Sequence, residues 1–134
     1  MTPVIVGSTG VGKTAVAVAL AALTPLTVIS ADARQIYRGL DIGTAKPDPD
    51  TRARVPHRGL DLLEPGERYS AGRFARDAAE WVAQTRAEGR SPVVVGGTGL
   101  YIRALADGLF NEPVLDPERR ERLREWSGDM EAPE

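Results

Sequence analysis

The 134-residue sequence contains no cysteine, which excludes disulfides, thiolate metal ligands and thiol nucleophiles and leaves the redox compartment unmarked. It has a single histidine, His57. Beside Arg58, and with no carboxylate at motif spacing, His57 reads as a structural or substrate-edge residue rather than a metal ligand or proton shuttle. No apolar run approaches the length of a membrane span, and no basic segment followed by an apolar one opens the chain. Neither a membrane anchor nor a secretory leader is therefore expected, and a cytoplasmic protein is the default. An excess of one charge is also missing. The formal net charge of -2 gives no global basic field of the kind that advertises nucleic acid. What remains is a 42% hydrophobic chain, long enough for one domain with a real core and too short for a second of ordinary size.

Apolar runs alternate with helical patterns, as in a parallel sheet with crossover helices. The pattern predicts strand 3–6, a loop at 7–12, helix 13–23 and strand 26–30. A polar stretch at 31–57 follows, with a short helix near 49–55, then a weaker strand at 58–63 closed by a turn at 64–67. Helix 70–88 is expected to start at the N-cap Ser70 and stop at Gly89, with Phe74, Ala78, Trp81, Val82 and Thr85 as its core stripe. A strand at 92–95 and helices at 100–106 and 117–126 complete the reading. Three or four strands are few for such a sheet.

The most specific local pattern is Gly7-Ser8-Thr9-Gly10-Val11-Gly12-Lys13-Thr14. Glycines at 7, 10 and 12 let the chain curl so that successive amides converge on phosphate oxygens at the start of a helix. Lys13 supplies an ammonium for the outer phosphates, and the Thr14 hydroxyl is placed to ligate Mg²⁺. Gly7, Thr9, Gly10, Val11, Gly12, Lys13 and Thr14 are thus the candidate phosphate-binding residues, with Thr14 the candidate metal ligand. The pattern specifies phosphate and leaves the rest of the ligand open.

Ligands of open α/β sheets sit beyond the carboxyl ends of the strands, so the segments at 30–35 and 96–99 are expected to share the cleft of this loop. The second is informative through what it lacks. Val93-Val94-Val95 leads into Gly96-Gly97-Thr98, without the acid that holds the Mg²⁺ shell in ATPases and GTPases. Nucleotide hydrolysis is therefore disfavoured, while Thr98 can donate a hydrogen bond to phosphate. Asp32 is the best-placed general base, with an Asx turn, an N-cap or an outer-sphere Mg²⁺ role equally compatible with its spacing. Arg34 and Gln35 offer donors for a phosphate or a base edge. Tyr37 can stack on a base or anchor its loop, and Lys46 can meet a phosphate. Between residues 31 and 60, six basic residues face four acidic ones, a local tilt that permits RNA. The charged run 118–125 reads as a solvated helical face.

Three stretches together, residues 7–14, Ser30-Ala31-Asp32-Ala33-Arg34-Gln35-Ile36-Tyr37-Arg38-Gly39-Leu40-Asp41-Ile42-Gly43-Thr44-Ala45-Lys46-Pro47 and Gly96-Gly97-Thr98-Gly99-Leu100-Tyr101-Ile102-Arg103-Ala104-Leu105, closely resemble the tRNA dimethylallyltransferase family, also called tRNA isopentenyltransferases. The resemblance runs over residues 3–117. It implies a P-loop NTPase-like parallel sheet flanked by helices, incomplete on its C-terminal side. It also implies transfer of a dimethylallyl group from dimethylallyl diphosphate to N6 of adenosine 37 in the tRNA anticodon loop, with Mg²⁺ assisting. On this pattern the phosphate loop holds diphosphate as leaving group and Asp32 takes the N6 proton. Thr98 holds diphosphate or assists the acceptor, and Asp32, Arg34, Gln35, Tyr37 and Lys46 line the tRNA side. Ala33 departs from the family's usual serine. Residues 1–115 correspond to the core and 116–134 to the start of a helical tRNA-binding insertion or a tail, so a monomer with little or no activity of its own is expected. The alternatives are a small P-loop kinase using ATP, an adenylate prenyltransferase, or a degenerate phosphate-binding module.

Overall fold

In the computed structural model, which describes residues 1–108 and 117–128, the apolar runs become parallel strands: β1 (Val4–Val6), β2 (Leu26–Ser30), β3 (His57–Arg58) and β4 (Ser91–Gly96). The sheet order is β1-β4-β2-β3, with every pairing parallel. β2 is buried along its whole length, as a strand covered on both faces must be, with Leu26, Val28 and Ile29 as its apolar body and Thr27 and Ser30 buried beside them. β1 lies at one edge, where Val4 and Val6 are exposed.

Five helices are described: α1 (Lys13–Ala21), α2 (Pro49–Arg54), α3 (Ala71–Ala87), α4 (Gly99–Asp107) and α5 (Pro117–Gly128). Ser70 caps α3, its hydroxyl accepting from Arg73 N at 3.1 Å, and Gly89 follows the helix at φ 71°. Of the expected α3 stripe, Phe74, Ala78 and Thr85 are buried, and Trp81 and Val82 are half-buried against the same core. On this face Ile29 and Val94 of the sheet meet Phe74, Ala78, Tyr101 and Ala104, and the Phe74 and Tyr101 rings stack with centroids 4.5 Å apart. Ala17 of α1 covers the opposite face with Val28, Val55, Val93 and Val95. No helix among the described residues is long and apolar enough to cross a membrane.

The strand expected at 58–63 is corrected to two residues, 57–58. Gly59 at φ 83° turns the chain away, and Asp61 at φ 53° prevents an extended continuation. Only Leu63 returns to a bridge, with Tyr37. The boundary expected near residue 115 lies outside the described residues.

Candidate active site

The carboxyl ends of β1, β2 and β4 open on one cavity of about 230 Å³, on the α1 side of the sheet. Its volume suits a small ligand. Thr9, Gly10, Gly12, Lys13 and Thr14 form one end; Asp32, Gln35 and His57 stand across from them. The floor is apolar, made by Ala17, Val28 and Val95. Phosphate loop, Asp32 and the end of β4 are therefore brought together as the topology of open α/β sheets requires.

At the loop, Gly12 takes a left-handed conformation, φ 96°, immediately before α1. No side chain caps this helix start and its first turn carries no acid, so its amide donors remain for an anion. Lys13 Nζ donates to the carbonyls of Gly7 and Ser8 at 2.8 and 2.7 Å, which folds the ammonium back across the loop. Gly7 and Val11 shape the loop from outside the cavity lining, and the Val11 side chain is exposed. Thr14 lines the cavity.

Asp32 leaves β2 in a tight turn. Its Oδ1 accepts from Arg34 N at 2.9 Å and from Gln35 N at 3.3 Å, the Asx-turn role, while no hydrogen bond engages Oδ2 among the described residues. One oxygen fixes the carboxylate and the other stays available. Thr98 stands behind this turn and not on the cavity wall: its Oγ1 accepts from Ala33 N at 3.0 Å and its N–H donates to the Ala31 carbonyl at 3.2 Å. The hydroxyl expected to hold phosphate thus holds the segment that carries Asp32.

The other expected acceptor-side residues are placed differently from one another. Arg34 is exposed and lies outside the cavity lining, beside a separate hollow formed with residues 39–44. The Gln35 amide is internally committed, with Oε1 accepting from Ser30 Oγ at 3.0 Å and Nε2 donating to the carbonyls of Thr44 and Ala45 at 3.0 and 3.2 Å. The Tyr37 hydroxyl donates to the Glu67 carbonyl at 2.9 Å, so this ring anchors its loop rather than offering a stacking face. Lys46 is corrected outright. Its side chain is wholly buried, and its ammonium spends all three donors on the Tyr37 carbonyl, Asp41 and Asp61 at 2.6 to 2.8 Å. No donor is left for a phosphate.

His57 is the cavity residue that sequence reasoning placed only as an edge. Its Nδ1 lies 2.6 Å from the Val55 carbonyl, which fixes that nitrogen as the protonated one. Burial pushes the imidazole below its ordinary range, the Val55 carbonyl partly opposes this, and the charge of Arg52 adds to the downward shift. A neutral ring therefore faces the ligand space. The sequence signal for this was the apolar Val55 before it and a strand after it.

For a divalent cation, no group of three or more carboxylate or imidazole ligands exists among the described residues. Among the donor residues lining the cavity are Thr14 and Asp32, whose Oδ2 accepts no hydrogen bond among the described residues. That set fits Mg²⁺ carried on a ligand's phosphates, where most coordination positions belong to phosphate and water.

Comparison with known proteins adds the family context. The family model for IPP transferase matches residues 35–133, and that for isopentenyl transferase matches residues 2–55. The tRNA dimethylallyltransferase of Thermus thermophilus is 53% identical over 130 residues, covering 97% of this chain and 42% of that protein. Its counterpart in Halorhodospira halophila is 53% identical over 119 residues, covering 89% of this chain and 38% of that one. Among solved structures, the tRNA isopentenylpyrophosphate transferase of Bacillus halodurans superposes with a TM-score of 0.78 at 38% identity, over 96% of this chain and 43% of that one. A eukaryotic dimethylallyltransferase acting on tRNA gives 0.79 at 29% identity, over 91% and 31% respectively. The chain thus spans about two fifths of the length of the curated relatives it matches.

Proposed function

The chain belongs to the IPP transferase family, and from that membership we propose that it forms the diphosphate-binding and base-bearing part of a tRNA dimethylallyltransferase. The observation that carries this reading is one cavity bordered by a complete phosphate loop and by Asp32, in a sheet whose β4 ends in glycine where a nucleotide hydrolase places an acid.

In the proposed reaction the loop amides and Lys13 hold the diphosphate of dimethylallyl diphosphate, with Lys13 leaving the Gly7 and Ser8 carbonyls to do so. Thr14 would hold Mg²⁺, which supplies charge neutralisation of the departing diphosphate. The C5 allylic tail rests on the apolar floor of Ala17, Val28 and Val95. The exocyclic N6 of adenosine 37 forms the new C–N bond at the allylic carbon as the C–O bond to diphosphate breaks. Asp32 Oδ2 accepts the proton that N6 releases. An exocyclic amine is a weak nucleophile, so a carboxylate already locked in an Asx turn removes a reorganisation that a mobile one would incur. The adenine must leave its stack to reach this carbon. Arg34, exposed outside the cavity, is the residue left to meet the RNA backbone. The protein acts as a monomer in the cytoplasm on this reading.

The test is calorimetric titration of the 134-residue chain with dimethylallyl diphosphate and with ATP, each with Mg²⁺. The prenyl diphosphate is expected to bind at least about tenfold more tightly. A preference for ATP sinks the transferase reading in favour of a P-loop kinase.

A further inference from the structure

Behind the cavity wall lies a cluster of four charges joined by short contacts. Lys46, wholly buried, meets Asp41 at 2.8 Å and Asp61 Oδ1 at 2.6 Å, and Asp61 Oδ2 accepts from Arg52 at 2.6 Å. Arg52 Nε in turn donates to the Pro47 carbonyl at 2.8 Å, and Arg38 Nε donates to the Asp61 carbonyl at 3.0 Å. Asp61 is thus gripped by three cationic side chains from the preceding segment. Burial alone would raise its carboxyl, but the hydrogen bonds from Lys46 and Arg52 outweigh this and hold it below the ordinary carboxylate range. The positive φ values found at described non-glycine residues are those of Ala45, 51°, and Asp61, 53°. Both sit in or beside this cluster. Such backbone persists only where its surroundings over-determine it.

The cluster holds the segment that walls the cavity. Thr44, Ala45 and Pro47 line it, and they flank Lys46 on both sides. Gln35 spans from Ser30 to the Thr44 and Ala45 carbonyls, and its own N–H donates to Asp32 Oδ1. A displacement of residues 44–47 would therefore reach the turn that carries Asp32.

We propose that Asp61, acting through Lys46 and Arg52, is a positioning residue of this site: it sets the wall at 44–47 and so shapes the part of the cavity that receives the organic portion of the ligand, beyond the reach of the phosphate loop. This rests on the prenyl diphosphate reading above. Among the described residues no hydrogen bond or ion pair joins the phosphate loop to the cluster, so the two parts of the ligand should respond differently.

The experiment compares the full chain with Asp61→Asn and Asp61→Gly; the glycine variant removes the carboxylate while relieving the positive φ, which protects against a simple folding failure. Inorganic diphosphate and dimethylallyl diphosphate are titrated with Mg²⁺. Affinity for inorganic diphosphate is expected to stay within about twofold, while the added affinity of the prenyl ligand falls by about tenfold or more in both variants. Amide exchange gives a ligand-free readout. The Ala45 and Lys46 amides, bonded to the Ile42 and Asp41 carbonyls, should lose protection by about tenfold or more while those of β2 do not. Equal loss of both ligands, or unchanged protection at 45 and 46, overturns the proposal. Failure of the unaltered chain to distinguish the two ligands instead overturns the prenyl diphosphate reading, and the exchange result then decides the positioning role alone.

Discussion

Gly96 ends β4 where an acid would be expected in a nucleotide hydrolase, and the structure gives the steric reason. A Cβ built on it would stand under 3.0 Å from the Ala31 carbonyl oxygen, 2.5 Å from the Ala31 carbonyl carbon and 2.8 Å from its Cα. These are backbone atoms, which cannot swing aside. Gly96→Ala must therefore push β4 from the segment after β2, straining the Ala31 N–H bond to the Val95 carbonyl at 2.8 Å and the Thr98 N–H bond to the Ala31 carbonyl at 3.2 Å. Overpacking of this kind costs about 1–3 kcal/mol. Weakening two buried hydrogen bonds adds about 1 kcal/mol each. The alanine recovers roughly 0.5–1 kcal/mol through lower unfolded-state entropy. The net loss is about 2–4 kcal/mol, a fall of roughly 1–2 M in urea midpoint for a slope near 2 kcal/mol/M. Two neighbouring glycines serve as internal controls. A Cβ at Gly97 would meet the Gly7 carbonyl at 3.1 Å, a contact that a few tenths of an ångström relieves, so Gly97→Ala should cost under about 1 kcal/mol. At Gly99, the first residue of α4, nothing lies within 4 Å, and Gly99→Ala should stabilise by about 0.4–1 kcal/mol. Urea unfolding followed by far-UV circular dichroism measures all three. A Gly96→Ala variant within about 1 kcal/mol of the parent, or a series in any other order, refutes the close-approach argument.

Two further outcomes test the buried polar groups. His57 is the sole histidine and is held neutral, its folded value lying below its unfolded one near 6.5. As pH falls the unfolded chain takes up this proton first, so the contribution is complete above about pH 6.5 and is lost as pH drops from there toward the folded value. Urea midpoints should decline between about pH 7 and 5 in the parent and flatten in His57→Gln; a flat parent profile refutes this. The Asp48 and Asp61 carboxyls, both shifted below their ordinary value of 3.8, act in a separate and more acidic window. Thr85 Oγ1 is buried without a hydrogen-bond partner among the described residues, so Thr85→Val should stabilise by about 1 kcal/mol, raising Tm by roughly 4 °C. A lower Tm would count against an unpaired hydroxyl.

The sheet was legible because its central strands carry short apolar runs, Val28-Ile29 in β2 and Val93-Val94-Val95 in β4, and the phosphate loop because its chemistry demands a fixed spacing of glycines, lysine and hydroxyl. The region from 31 to 63 was not. Leu60, Leu62 and Leu63 suggested a strand, yet Asp61 is turned to positive φ amid contacts with Lys46 and Arg52, 15 and 9 residues distant. Nothing in the local pattern encodes such a contact. The same non-locality hid the fate of Lys46 and Gln35: in a polar stretch a lysine or glutamine gives no sign of whether it faces solvent or spans a loop. Asp32 lay between these cases. Its spacing was compatible with a turn and with a base; Oδ1 takes the turn, and Oδ2, without a hydrogen bond among the described residues, is the oxygen that the proposed base role requires.

That division of labour bears on how a phosphate loop is turned to a different chemistry. A carboxylate at the end of β4 would stand where a hydrolase orients metal and water, but Gly96 is closed against any side chain by the Ala31 backbone. The acid of this site stands instead one strand over, at the end of β2, a shift of about 4.8 Å across the sheet. Under the proposed reaction that is the side from which the acceptor amine approaches, so the carboxylate meets the proton of the nucleophile rather than the solvation of the phosphates. The two features are one construction: the close approach that forbids the acid on β4 is the packing of Ala31, and Ala31 is the residue from which the chain turns into Asp32. Thr98 closes the unit by binding Ala33 on the other side of the same turn. A change that relaxed the glycine contact would therefore reach the Asp32 turn directly, through Ala31.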